Sequence, residues 1–429
     1  APFVPALSRF EEPLDLNLVF SGHGKHLDCP TLRLTNHHGL MIAGEAALSN
    51  WDAGMDMYIY GKLGNLTMTK EGINVLMTNL TGKVPPILQR LDYIRFNGEA
   101  AGYLHDLTLT GLFHTGAGMV KTDVMMSIDE QSMSRTYSGS VASADLDLGK
   151  LLNQEKKFGK VDFNVELKGF NYKNRYPESY IKGIISSFEY SQYQYENIML
   201  DGVYKDGGFN GRLSMDDANG SVQIDGNFNV AKTIPDFNLK ASVKNLRPHD
   251  LHLSDKYENA SISLGLTADF TGKSIDDMNG RISLDSLQLN APDEGGCFLD
   301  NLTITAGQVS GEKELRINSS FMTAVIRGDY SYHTIPASVV KTVQRYIPSL
   351  LTIKDNMPEP HNNFQFDICL ENAEVLSKLF QIPLELYLPA SLKGYFNDGE
   401  EKLHVEGHFP EFRYNGTRYD SGVLFCESF

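Results

Sequence analysis

The residue types able to do chemistry are present but do not converge along the chain. Four of the twelve histidines lie in Ser21-Gly22-His23-Gly24-Lys25-His26 and in His37-His38. A transition metal needs imidazoles converging on one point, and neighbouring histidines on a strand face opposite ways. These histidines therefore read as loop and surface residues. Asp216-Asp217 and Asp276-Asp277 open two segments of the form Asp-Asp-x-Asn-Gly. The pattern is faintly like a calcium loop, but the distal glutamate and the full ligand spacing are missing, and a hairpin turn accounts for both. The four cysteines, Cys29, Cys297, Cys369 and Cys426, are far apart and form no Cys-x-x-Cys pair. That argues against zinc and leaves two states open, buried thiols or long-range disulfides in an oxidising compartment.

Nucleophilic signatures are also missing. There is no Gly-x-Ser-x-Gly elbow and no phosphate-cradling glycine loop. Paired carboxylates for glycoside hydrolysis are defined by distance in space, which sequence does not give. Tyr180, Tyr190, Tyr193, Tyr195 and Tyr204 form an aromatic-rich stretch. It suits either a sugar-stacking platform or ordinary cross-strand packing. Asn65, Asn301 and Asn415 head Asn-x-Thr triplets, which a chain rich in Asn, Ser and Thr contains by chance. The expectation is a protein that is not an enzyme and uses no metal or cofactor.

Charge narrows the partners. The formal net charge is -16, and the longest basic run is Lys156-Lys157. Such a surface repels a phosphate backbone, so nucleic acid is excluded as a partner, and anionic membrane surfaces are disfavoured. No apolar stretch reaches the roughly 18 residues a spanning helix needs. Ala1 to Phe10 lacks the regions of a signal peptide. The chain is expected to be soluble as it stands, and compatible with being a piece of an anchored or exported protein.

The elements that would position any site are strands. Apolar residues alternate with polar ones along Leu14-Leu16-Leu18-Phe20, Phe163-Val165-Leu167, Val222-Ile224-Gly226-Phe228, Phe237-Leu239-Ala241-Val243 and Ile262-Leu264-Leu266. Period two means strands with one wet and one apolar face. The two Asn-Gly segments, 216–220 and 276–280, predict type I′ hairpins, and Asp206-Gly207-Gly208 a third turn. Ala144 to Leu152, Ala373 to Phe380 and Pro336 to Ile347 predict short helices, the last within an irregular excursion over 333–363.

Repeats complete the pattern. Leu104 to Gly111 matches Tyr195 to Gly202, each followed by an aromatic at Phe113 or Tyr204. A third copy begins near Leu299 and a weaker one at Tyr419. The fold class is therefore all-β: an elongated, repetitive antiparallel sheet with a few short helices. It is one continuous body over 1–429, in approximate units 11–100, 101–192, 193–297 and 298–429.

These segments resemble the TamB and AsmA-like family of bacterial envelope proteins, particularly the TamB-like forms of Bacteroidetes. Val141 to Leu152 is similar to that family's strand-to-helix junction. Tyr195 to Val230, and Asp236 to Lys256 followed by Leu264 to Asp285, are similar to its hairpin units. Val84 to Leu107 resembles its unit-opening strand, with Arg95-Phe96-Asn97-Gly98 as a turn. The likeness is fullest over 85–330 and suggests an internal segment. It implies a sheet curled into an open half-pipe with an apolar interior, in a periplasmic protein anchored to the inner membrane.

The function so implied is non-catalytic: bridging phospholipid between membranes during outer-membrane biogenesis. Partners would be phospholipid acyl chains and, through regions outside this chain, the outer-membrane assembly machinery. The expected lipid-lining residues are Phe163, Val165, Leu167, Ile224, Phe228, Leu239, Val243, Ile262, Leu264, Leu266, Ile282 and Leu284. The alternative for the same residues is a closed sandwich core, and for the protein a carbohydrate-binding or adhesin-like surface role.

Overall fold

Strand propensity and alternation govern nearly the whole chain in the computed structural model. It describes residues 13–129, 131–132, 134–171, 178–255, 258–292, 295–335, 338, 362–380, 382–400 and 402–427. The chain divides into two compact units, Ala1–Ala218 and Asn219–Phe429.

In the first unit the strands are β1 (Asp15–His23), β2 (His26–Thr35), β3 (Leu40–Ser49), β4 (Tyr58–Thr69), β5 (Tyr93–Tyr103), β6 (Asp106–Thr115), β7 (Gly118–Ile128), β8 (Arg135–Asp147), β9 (Phe158–Asn171), β10 (Glu178–Tyr190), β11 (Tyr193–Lys205) and β12 (Gly208–Asp217). Each pairs antiparallel with the next.

In the second unit β13 (Gly220–Asn229), β14 (Asp236–Leu246), β15 (Ser261–Thr271), β16 (Asn279–Asn290), β17 (Cys297–Val309), β18 (Glu312–Ser319), β19 (Met322–Asp329) and β20 (Asn363–Leu370) do the same. The run continues through β22 (Ala390–Asn397), β23 (Lys402–Phe409) and β26 (Gly422–Glu427). β21 (Leu384–Leu386), β24 (Phe412–Tyr414) and β25 (Thr417–Tyr419) form a small separate sheet. Among the described residues, neither run closes into a barrel. The alternation and the repeats predict such a repetitive antiparallel sheet, and its open form is the one the family resemblance implies.

The matched repeats have a common geometry. Gly111 lies opposite Gly98, and a side chain at either would strike the Phe96 ring. Gly202 lies opposite Gly211, and both sit under the ring of Phe209. Glycine is needed at these sites because the ring lies flat on the sheet where a Cβ would be.

Turns correct part of the sequence reading. Asp206 and Gly207 both have positive φ (50° and 77°), the type I′ signature. The segment 276–280 does not turn at Asn-Gly. Asn279 and Gly280 already pair with Thr271 and Phe270, and the chain reverses through the short helix Ile275–Asp277. Asp276 is used there as an acceptor, for the Ser331 hydroxyl (2.8 Å) and the Tyr332 amide (2.6 Å). In 216–220 the positive φ falls on Gly220 alone of the Asn-Gly pair.

Helices sit at strand ends. α1 (Lys70–Thr81) and α2 (Pro86–Gln89) lie between β4 and β5. Thr69 caps α1 by accepting from the Gly72 amide, and Gly82 ends it at φ 76°. The expected Arg95-Phe96-Asn97-Gly98 turn is instead the middle of β5, and part of the approach to it is helical. α3 (Leu148–Leu152) is shorter than predicted. Ala144 to Asp147 still belong to β8, bulged at the left-handed Asp145. The Glu374–Phe380 helix agrees with expectation. Most of the predicted helix over 336–347 lies outside the described residues.

Candidate apolar binding face

Register fixes which side chains share a face. In an antiparallel sheet, residues directly opposite project to the same side. In the first unit this gives four rows across β8 to β12. Phe163 lies opposite Ser143 and Ile185. Next come Val141, Val165, Gly183, Leu200 and Leu213, then Gly139, Leu167, Ile181, Gly202 and Gly211. The last row is Tyr137, Gly169, Ser179, Tyr204 and Phe209. The reverse face carries Asn164, Glu166, Lys168, Lys182, Asp201 and Arg212, with the exposed Ile184 and Met199 among them, and is wet. There the Tyr180 hydroxyl donates to Asp201 (2.9 Å), and the bond pushes the phenol's pKa up.

The second unit repeats the arrangement. Phe228, Phe237, Phe270 and Gly280 form one row. Gly226, Leu239, Ala268, Ile282 and Ile304 form the next. Ile224, Ala241, Leu266, Leu284 and Leu302 follow. Val222, Val243 and Leu264 come last, ahead of Leu246 and Ile262. All nine lining residues predicted here stand on one face.

Burial separates this face from a core. Packing two sheets face to face buries the inner side chains. Here eleven of the twelve predicted residues are half-buried and Phe228 is exposed. None belongs to the fully buried set. The true cores sit at the ends of the strands. In the first unit Ile73, Leu91, Ile94, Ala117, Leu146 and Val161 form a cluster beneath α1, α2 and α3. In the second, Leu287, Leu299 and Phe321 pack with Val375 of the Glu374–Phe380 helix. Phe163 packs against the first cluster, and Ile262, Leu264 and Leu284 against the second. These four line the foot of a helical cap. Val165, Leu167, Ile224, Phe228, Leu239, Val243, Leu266 and Ile282 are not among the side chains packed on the four described clusters.

Sequence reasoning missed Val141, Ile181, Leu200 and Leu213. Their strands interleave glycine and serine with the apolar positions, which blurs the alternation. β10 also carries consecutive Ile184 and Ile185. Only pairing with β9 reveals which of them faces in.

Ion pairs hold the caps. Lys150 of α3 donates to Asp92 (2.6 Å) and to the Gly116 carbonyl (2.9 Å). The Lys150 ammonium holds the Asp92 carboxyl below its usual range. On the wet face of the second unit, Glu314 is 7% exposed and accepts from Arg327 (2.5 Å) and Arg316 (2.9 Å). The hydrogen bond from Arg327 depresses its pKa. A depressed carboxylate stabilises fully above the ordinary value, about 4.3, and loses that contribution as pH falls through the depressed one. Glu314→Gln should therefore flatten the acid-side fall of stability. Urea midpoints at neutral and acidic pH test this, and parallel curves for the two proteins would refute it.

The other chemical candidates disperse. Tyr180 stands on the wet face and Tyr204 on the apolar one, while Tyr195 is buried, so the tyrosines do not wall one cleft. None of the four cysteines is in a disulfide, and Cys297 is buried, which raises its pKa. His26 bonds Ser49 (2.7 Å) and Asp28 (2.9 Å). Among the described residues no three His, Cys, Asp or Glu side chains are placed to hold a metal. No described helix is long and apolar enough to cross a membrane.

Comparison with known proteins gives no further anchor: no family model, curated protein or solved structure matches this chain.

Proposed function

We propose that the apolar face of each unit holds the acyl chains of phospholipid, and that the protein is a non-catalytic lipid-bridging segment of a bacterial envelope protein. The carrying observation is the stripe of half-exposed Val, Leu and Ile that runs strand after strand between the helical caps and the opposite rim. Each methylene buried there is worth about 0.8 kcal/mol. Successive strands present similar apolar rows, so a chain can pass from one to the next without a steep barrier. No bond need be made or broken. The resemblance to TamB and AsmA-like proteins supports the same reading. It adds a periplasmic setting, an inner-membrane anchor and contact with outer-membrane assembly machinery through regions outside this chain. Against a carbohydrate-binding role, Tyr180 and Tyr204 stand on opposite faces and Tyr195 is buried, although Tyr193 packs edge-on against Tyr195 with ring centroids 4.8 Å apart.

Gentle purification, organic extraction and mass spectrometry test the proposal, with an unrelated β protein as control. Stoichiometric phospholipid is expected, and a photocrosslinker at Leu239 should label it while one at Lys240 does not. A folded protein free of lipid, or equal labelling from both positions, would overturn the reading.

A further inference from the structure

Measured along one strand of each unit, β9 and β14, the apolar face has the same width. On β9 the stripe begins at Phe163, which packs against the capped cluster, and ends at Gly169, under the Tyr137 ring. Six residues at about 3.3 Å per residue give roughly 20 Å. On β14 it runs from Val243, beside the cap-packed Leu264, to Phe237, again six residues and roughly 20 Å. One leaflet of a bilayer's hydrocarbon is about 15 Å deep, half of roughly 30 Å.

The two borders differ chemically. The cluster under the cap is apolar: Ile73 is 1% exposed, with Met77, Leu88, Leu148 and Leu151 packed on it. The opposite rim of the first unit is amphipathic. The Tyr137 hydroxyl bonds that of Ser179, Tyr204 stands beside Phe209, and Lys205 pairs with Glu178 (2.8 Å) just beyond. In the second unit Phe237 and Phe270 stack at the same border, their ring centroids 4.8 Å apart. Tyrosine, apolar in body and polar at the tip, suits a boundary between hydrocarbon and water.

We infer that the helical caps act as an acyl-chain ruler. Resting on the lipid reading above, this has each chain lying along the strands, its methyl end against the cap and its headgroup at the aromatic rim. Chains longer than the stripe meet the buried cluster and are discriminated against. Shorter chains leave apolar surface unfilled, at about 0.8 kcal/mol per missing methylene, close to fourfold in affinity.

The test offers the intact protein vesicles of saturated phosphatidylethanolamines, equimolar and differing only in acyl length, and reads the bound species by mass spectrometry. The wild type should show a peaked length profile. Leu151→Ala under the first cap and Leu376→Ala under the second should each move the profile toward longer chains, enriching them at least about twofold, with circular dichroism confirming the fold. A flat wild-type profile overturns the ruler whether or not the variants fold. So does an unchanged profile in either folded variant. In both cases lipid is still bound and the lipid reading survives, whereas a wild type that takes up no lipid defeats that reading itself.

Discussion

Leu239→Asp is expected to cut retained lipid at least about tenfold while leaving the protein folded. Leu239 lies mid-stripe, half-buried, flanked by Ala268 and Gly226. A carboxylate there faces hydrocarbon without a partner, and burying such a group costs on the order of 2 kcal/mol or more. Since 1.4 kcal/mol is a factor of ten, the loss is large. The fold tolerates the change because Leu239 is not one of the side chains packed on the described core clusters. Leu264 would be a poorer probe. It packs against the Leu287, Leu299, Phe321 and Val375 cluster, so a charge there attacks the cap and the apolar face together. The measurement is lipid per protein after gentle purification, beside the thermal melt. A folded Leu239→Asp protein with its full lipid load would show that this face is not where lipid sits.

Phe396→Ala should be the most damaging single truncation in the second unit, at about 3–5 kcal/mol. Phe396 is 2% exposed and packs among Ala306, Leu315, Tyr330, Phe364 and Leu403. Its ring centroid is 5.7 Å from that of Phe364. Removing it deletes a large apolar side chain and leaves a cavity that a sheet pinned by its ladders fills poorly. Against a typical stability of about 5–15 kcal/mol, a loss of that size is severe. Because the chain forms two compact units, the damage should stay local. Hydrogen exchange should lose protection in the strands from β17 to β26 and keep it in β1 to β12. Equal loss throughout would mean the units unfold as one, and a loss below about 1 kcal/mol would mean the cluster is not a core.

Legibility followed local chemistry. β9 and β13 to β16 could be read because strict alternation is a local signature of a half-wet strand. The Asp206-Gly207 turn could be read because positive φ at two neighbouring residues suits few residue types. α2 is not legible because the apolar residues of 84–107 suit an extended strand equally well, and α1 is marked only at its ends, by Thr69 as a cap and Gly82 as a stop. The turn at 276–280 was misplaced because Asn-Gly also fits a strand start, where Gly280 takes φ 145°.

Sequence by itself determined the class of the fold, an antiparallel all-β sheet, and, where alternation is strict as on β9 and β13 to β15, which side chains share a face. Period two is a property of neighbours along the chain, so no distant contact is needed to read it. Tertiary structure alone decided which of those apolar residues are core and which remain half-exposed. Phe163 and Leu167 are chemically alike and four residues apart on one strand. One meets a helical cap that arrives from residues 70–89 and 148–152, and the other does not. Burial depends on what comes to lie over a face, and that is set by segments far away in sequence.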